Sequence, residues 1–180
     1  MNKKIIALTM ALVLCLASTV AFAAGSKTTK DVVSATTVDT TIAVSAPTAE
    51  SKAELDAIAA FVNNGSAVVG YFQEDVQTEI TSALPEGVAA DDLKMDEFFP
   101  LASNGVINTE TALTLSTAAT YEDTDAVIVM GGVSDGEKVI WQVLPATIVD
   151  GKIVVTLPAD FCANIANGSA MITVLSNKAK

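Results

Sequence analysis

Residues 126–157, AVIVMGGVSDGEKVIWQVLPATIVDGKIVVTL, constrain this chain more than any other stretch. Short apolar segments are broken by Asp135-Gly136 and again by Asp150-Gly151. Asp-Gly pairs accept the positive φ angles of two-residue hairpin loops, so the stretch predicts two consecutive antiparallel hairpins. In the first, Val139, Trp141 and Val143 face one side and Lys138 and Gln142 the other. The segment at 126–131 is apolar on both faces, as in a strand covered on both sides. Pro145 interrupts the ladder because it has no N–H to give. In the second hairpin Ile153, Val155 and Leu157 point inward, and residues 126–157 as a whole read as the centre of an antiparallel sheet.

The flanking segments supply smaller elements. Ser51 and Glu54 have capping-box spacing, and Leu55, Ile58, Ala59 and Val62 form one helical stripe ended by Asn63-Asn64-Gly65. Residues 68–72 read as a brief strand or an extended link. A second helix is predicted over 74–83, with two acids in its first turn and Pro85-Glu86-Gly87 as its stop. Leu93, Met95, Phe99 and Leu101 fit one face of a strand, in which Glu97 is out of pattern and predicts a bulge. Residues 109–116 alternate apolar residues with threonine, and 170–175 form a closing strand after a helical turn around Phe161. Asn64 and Asn167 begin Asn-Gly-Ser triplets and read as turn residues. The fold class is therefore mainly β (α+β): an antiparallel sandwich of about seven strands preceded by two short amphipathic helices.

The N-terminus points to export. Lys3 and Lys4, an apolar run from Ile5 to Val20, and Ala21-Phe22-Ala23 match a signal peptide over 1–23. Leu14 before Cys15 is not the small residue that a lipid-anchor signal requires. Residues 24–50 are rich in Thr, Ser and Ala and lack aromatics, so they read as a linker or disordered arm. Ile42 and Val44, inside 41–45, mark a short edge strand as the exception. Residues 51–180 are expected to form a single domain, helical over 51–85 and a β-sandwich over 93–176. No sorting motif precedes the C-terminal lysines, so release or loose wall association is expected rather than covalent anchoring. No membrane contact is expected after cleavage.

Charge excludes whole classes of function. The chain has ten lysines, no arginine and no histidine against twenty-one acids, a net charge of −11. Without the leader, eight lysines remain and the charge becomes −13. Such a surface repels nucleic acid and supplies no bidentate guanidinium, and it favours a soluble monomer. Histidine-dependent triads and zinc sites are impossible, and no nucleophile elbow, Walker A or dinucleotide fingerprint occurs. Cys162 is alone once Cys15 leaves, and with no imidazole to generate thiolate it reads as a small buried hydrophobe. Trp141 reads as core. Glu122, Asp123 and Asp125 share one loop with Tyr121 and offer hard oxygen ligands, so they are the candidate metal site, with calcium as the ion.

The hairpins VSDGEKVIW and TIVDGKIVVTL, with the closing strand after a helical turn, resemble the immunoglobulin-like modules of secreted and surface proteins of Gram-positive bacteria. The resemblance covers about the last ninety residues and implies a binding or structural role outside the cell. It carries over no functional residue, and the cysteine pair of antibody domains is absent. The expected function is thus a secreted, non-catalytic module of the cell surface or extracellular space, taking a protein or glycan. The alternative is a carboxylate-dependent hydrolase of wall or host polysaccharide, which needs two converging acids beside stacked aromatics. A third reading is a structural subunit that assembles through strand edges.

Overall fold

The computed structural model describes residues 36–37, 40–115, 117 and 119–178. The leader read over 1–23 and residues 24–35 of the arm lie outside them. The elements are β1 (Thr36–Thr37), β2 (Thr40–Val44), α1 (Ala49–Asn63), a 3₁₀ turn (Val68–Tyr71), α2 (Glu74–Ala83) and a second 3₁₀ turn (Ala90–Asp92). They continue with β3 (Lys94–Ser103), β4 (Thr111–Leu115), β5 (Val127–Ser134), β6 (Val139–Leu144), β7 (Ala146–Val149), β8 (Lys152–Leu157), α3 (Ala159–Ile165) and β9 (Ala170–Ser176). The protein is α+β, with two antiparallel sheets ordered β1-β2-β3-β9-β5-β6 and β4-β8-β7. Among the described residues, no helix is long and apolar enough to cross a membrane.

Three layers result. Phe99, Leu113, Leu144, Ile153, Phe161 and Ile172 belong to the core between the two sheets, which α3 completes with Cys162 and Ile165. The other face of the large sheet buries Met130, Trp141 and Leu175 against Ile58, Phe72 and Ile80 of the helical layer. Ten- and fifteen-residue helices are marginal in water, so α1 and α2 depend on this docking. Full burial of a side chain the size of Ile58 or Ile80 contributes about 1.5–3 kcal/mol.

β5, read as a strand covered on both sides, is interior, paired with β9 and with β6, but the hairpin stretch as a whole is not the centre of one sheet. β9, between β3 and β5, is buried along its whole length, while β6 and β7 are edge strands of different sheets. Pro145 is the crossing point: it ends β6 in the large sheet and delivers the chain to β7 in the small one. The ladder break predicted at Pro145 is thus a change of sheet.

The bulge expected near Glu97 lies between Met95, opposite Leu175, and Glu97, opposite Val174. Its extra residue reverses the alternation of side chains. Leu93 and Met95 therefore pack under the helices, whereas Phe99 and Leu101 point between the sheets. The single face predicted for these four residues is corrected on that account.

Local chemistry explains the other differences. Thr48, not Ser51, is the N-cap of α1: its Oγ1 accepts the Ser51 N–H (3.1 Å), and Ser51 Oγ accepts the Thr48 N–H (2.9 Å). Val62 is exposed, so the buried stripe of α1 ends at Ile58. The segment read as a brief strand or an extended link at 68–72 is 3₁₀ over Val68–Tyr71, closed by Gly70 N–H to Ala67 O (3.0 Å). α2 covers the residues predicted for it. The strand expected at 41–45 is β2, paired through Val44 with Leu101 of β3. The first hairpin turns one residue later than predicted, because the Asp135 carboxylate accepts the N–H groups of Glu137 and Lys138 (2.9 Å each) and leaves Gly136 alone at positive φ. At the second hairpin Asp150 and Gly151 both take positive φ, at 51° and 75°, as their sequence requires.

Candidate functional site

The acidic loop enters β5 and is held on three sides. Tyr121, only 1% exposed, sits in the inter-sheet core and donates its hydroxyl to Asp96 Oδ2 (3.1 Å). Asp96 is the extra residue of the β3 bulge, and Ser176 Oγ donates to the same carboxylate oxygen. The Tyr121 N–H donates to Gly151 O (3.3 Å), which ties the loop to the β7–β8 turn. Burial first, then the neighbouring Asp96, pushes the Tyr121 phenol far above its ordinary range.

The three predicted metal residues fare differently. Glu122 and Asp123 are exposed, while Asp125 is half-buried. Asp125 Oδ2 accepts the Glu122 N–H (2.8 Å) and pairs with Lys178 Nζ (3.1 Å). The Glu122 N–H, and to a lesser degree Lys178, hold the Asp125 carboxyl below its ordinary range. Lys178 also donates to Thr120 O and lies 5.6 Å from the Tyr121 ring centroid. Among the described residues, no group of three His, Cys, Asp or Glu is arranged to hold a metal ion. The loop leaves two carboxylates exposed and commits the third to a lysine.

The loop is one wall of a groove of about 320 Å³. Asp123 and Asp125 line it on one side, Ala83 and Pro85 at the end of α2 on another, and Ala146 and Ile148 of β7 on a third. The volume is at the small end of ligand pockets, about 300–1,000 Å³.

The groove exists because of the sheet crossing. The β5–β6 ladder begins at Val129 opposite Leu144, so the first residues of β5 have no β6 partner. Ala126 turns its backbone toward Asn177: its N–H donates to Asn177 Oδ1 (3.1 Å) and its oxygen accepts the Asn177 N–H (3.3 Å). Neighbouring strand residues alternate in direction, so the Val127 N–H and C=O point into the space that β6 vacates. β7 presents a second open edge. Val149 and Lys152 flank the two-residue turn, and Pro145 O accepts the Thr156 N–H (2.8 Å). That phase directs Thr147 and Val149 toward β8, and Ala146 and Ile148 outward.

The remaining candidates belong to the core. Trp141 packs edge-on against Phe72 (5.4 Å) and donates its indole N–H to Glu54 Oε1 (2.8 Å). The same carboxylate neighbours Tyr71, whose phenol is pushed up to about 12, chiefly by burial. Cys162 is buried, its thiol donates to Leu157 O (3.6 Å), and burial pushes it up. The Asp96 network escapes sequence reasoning, since its members come from β3, the loop and β9. The out-of-pattern Glu97 is the one local signal beside it.

Fold and site together define a helix-covered two-sheet sandwich with a small acidic groove between two open strand edges. Comparison with family models, with curated proteins and with solved structures gives no match.

Proposed function

We propose that this chain is an exported, non-catalytic binding module of the cell surface or extracellular space, of the immunoglobulin-like kind found on Gram-positive bacteria, which binds a protein or glycan as a monomer. The observation that carries this reading is the groove beside the acidic loop. Its walls are fixed by buried or paired residues, Tyr121 and Asp125 among them, so it is preorganised. Two antiparallel sheets enclosing a common core are compatible with an immunoglobulin-like module.

The polysaccharide hydrolase is the weaker alternative. Asp123 and Asp125 both line the groove, but Asp125 is engaged by Lys178 and no aromatic side chain lines the groove beside them. The charge of −11 argues against nucleic acid as a partner. The test is to titrate labelled full chain onto purified cell walls, mucus and a glycan and protein array. Saturable binding without release of reducing sugar is expected. Reducing-end release would favour the hydrolase, and saturable binding to none of the surfaces would overturn the binding module.

A further inference from the structure

We propose that the groove takes an extended, lysine- or arginine-bearing segment of a partner protein, which adds as a strand to the outer edge of β7. The inference rests on the binding-module reading above and specifies its ligand. Three observations converge on it. First, Ala146 and Ile148 direct their N–H and C=O groups away from β8, which offers up to four main-chain hydrogen bonds to an added strand. Across the groove the backbone of Val127 is likewise directed into the space left by β6.

Second, the β7 edge is only four residues long, but it carries none of the residues that normally blunt one. ATIV has no charged residue, no proline and no bulge, and Val149 is 50% exposed. The edge of β6, by contrast, lies against α2, and Gln73 Nε2 donates to Val139 O (3.2 Å) there.

Third, the charge around the groove selects the occupant. Asp123 lines it, exposed Glu122 lies beside Asp123, and exposed Glu86 follows the lining residue Pro85. Of the nearby lysines, Lys178 is held by Asp125, and exposed Lys152, opposite Val149, shares its turn with exposed Asp150. A strand flanked by lysine or arginine gains Coulomb energy at both its encounter and its docking. A second copy of this chain, carrying the same −11 charge and the same acidic rim, is repelled. A groove of about 320 Å³ fits two alternate side chains of such a strand.

The test uses the full chain and three synthetic nine-residue peptides that alternate lysine with valine or threonine. One is unmodified, and the other two carry N-methyl groups on the odd or on the even residues. Fluorescence anisotropy is expected to show saturable binding of the unmodified peptide and of one methylated form, with at least tenfold weaker binding of the other. Strand addition uses the N–H groups of alternate residues only. A counterpart with glutamate in place of lysine should bind at least tenfold more weakly. Ala146→Pro removes an outward N–H without touching the β7–β8 ladder, and should weaken binding by a similar factor with an unchanged melting curve. The methylated peptides keep the test decisive if that variant fails to fold. No saturable peptide binding, or equal sensitivity to both methylation patterns, overturns the proposal. If a glycan from the array nevertheless binds, the peptide inference falls while the binding-module reading stands. A dimer in light scattering that Ala146→Pro dissociates would overturn it in favour of self-association.

Discussion

Gly131 and Gly132 lie side by side in β5 and face opposite layers, which makes them a sensitive test of the packing. A Cβ on Gly131 would lie 2.7 Å from Phe161 Cε2 and 2.9 Å from Leu144 Cδ1. Apolar carbons normally rest about 3.5–4.0 Å apart, so the ring would have to retreat by about an ångström. Phe161 and Leu144 are both buried and cannot yield cheaply. Overpacking of this kind costs about 1–3 kcal/mol. Replacing a strand glycine returns about 0.5–1 kcal/mol of chain entropy, so Gly131→Ala should lose about 1–2 kcal/mol net. Phe161→Leu removes the ring atom that clashes. Alone it leaves a void and costs less than the roughly 3–5 kcal/mol of truncation to alanine. Combined with Gly131→Ala it should recover about 1 kcal/mol relative to additivity. Gly132→Ala is the control, since its Cβ meets Val139 Cγ1 at 2.8 Å and Trp141 Cζ3 at 2.9 Å on the other face. Phe161→Leu should not rescue it. Urea unfolding followed by circular dichroism and by the fluorescence of the single tryptophan reads the parent and all the variants. The reasoning fails if Gly131→Ala stays within about 0.3 kcal/mol of the parent, or if Phe161→Leu rescues both glycine variants equally.

Other expectations follow from the buried polar groups. Both tyrosines of the chain, Tyr71 and Tyr121, have raised pKa values, that of Tyr71 reaching about 12. Phenols held protonated by the fold contribute stability that is fully present below the unfolded value, about 10, and is lost as pH rises toward the folded ones. Alkaline titration should therefore show no tyrosinate absorbance around the ordinary phenol range until the protein unfolds, and two normal phenols would refute this. Tyr121→Phe removes a donor from the buried Asp96 carboxylate and should cost about 1–3 kcal/mol in urea unfolding, with an unchanged m-value. Asp125 is engaged by Lys178 and the Glu122 N–H, so adding millimolar calcium to EDTA-treated protein should leave Tm unchanged. A rise of several degrees would restore residues 122–125 as a calcium site.

What could be read from the sequence was what local chemistry determines. Asp150-Gly151 specifies its hairpin because two adjacent residues must take positive φ, and Glu97 betrays a bulge because it breaks a period of two. The consequence of that bulge was not legible. Whether Leu93 and Phe99 share a face depends on pairing with Leu175 and Ile172, about eighty residues away in sequence. Asp135 misled for a related reason: its carboxylate caps the loop backbone, which moves the turn one residue on. For the site, the acidic loop was visible as a cluster of charges. The groove beside it was not, because it is produced by Pro145 carrying the chain from one sheet to the other.

The position of β9 has a consequence for how the molecule is made. β3 and β5 do not touch one another in the ladder; each pairs with β9, which follows β5 by some thirty-five residues. At about 5–20 residues per second, a growing chain waits about 2–8 s between completing β5 and completing β9. Through that interval the large sheet exists only as two separate pieces, each with an unpaired edge and an uncovered face. A chaperone that recognises extended apolar segments has its opportunity then, and substitutions within β9 should change the yield of soluble protein more than equally buried substitutions in the locally closed β7–β8 hairpin.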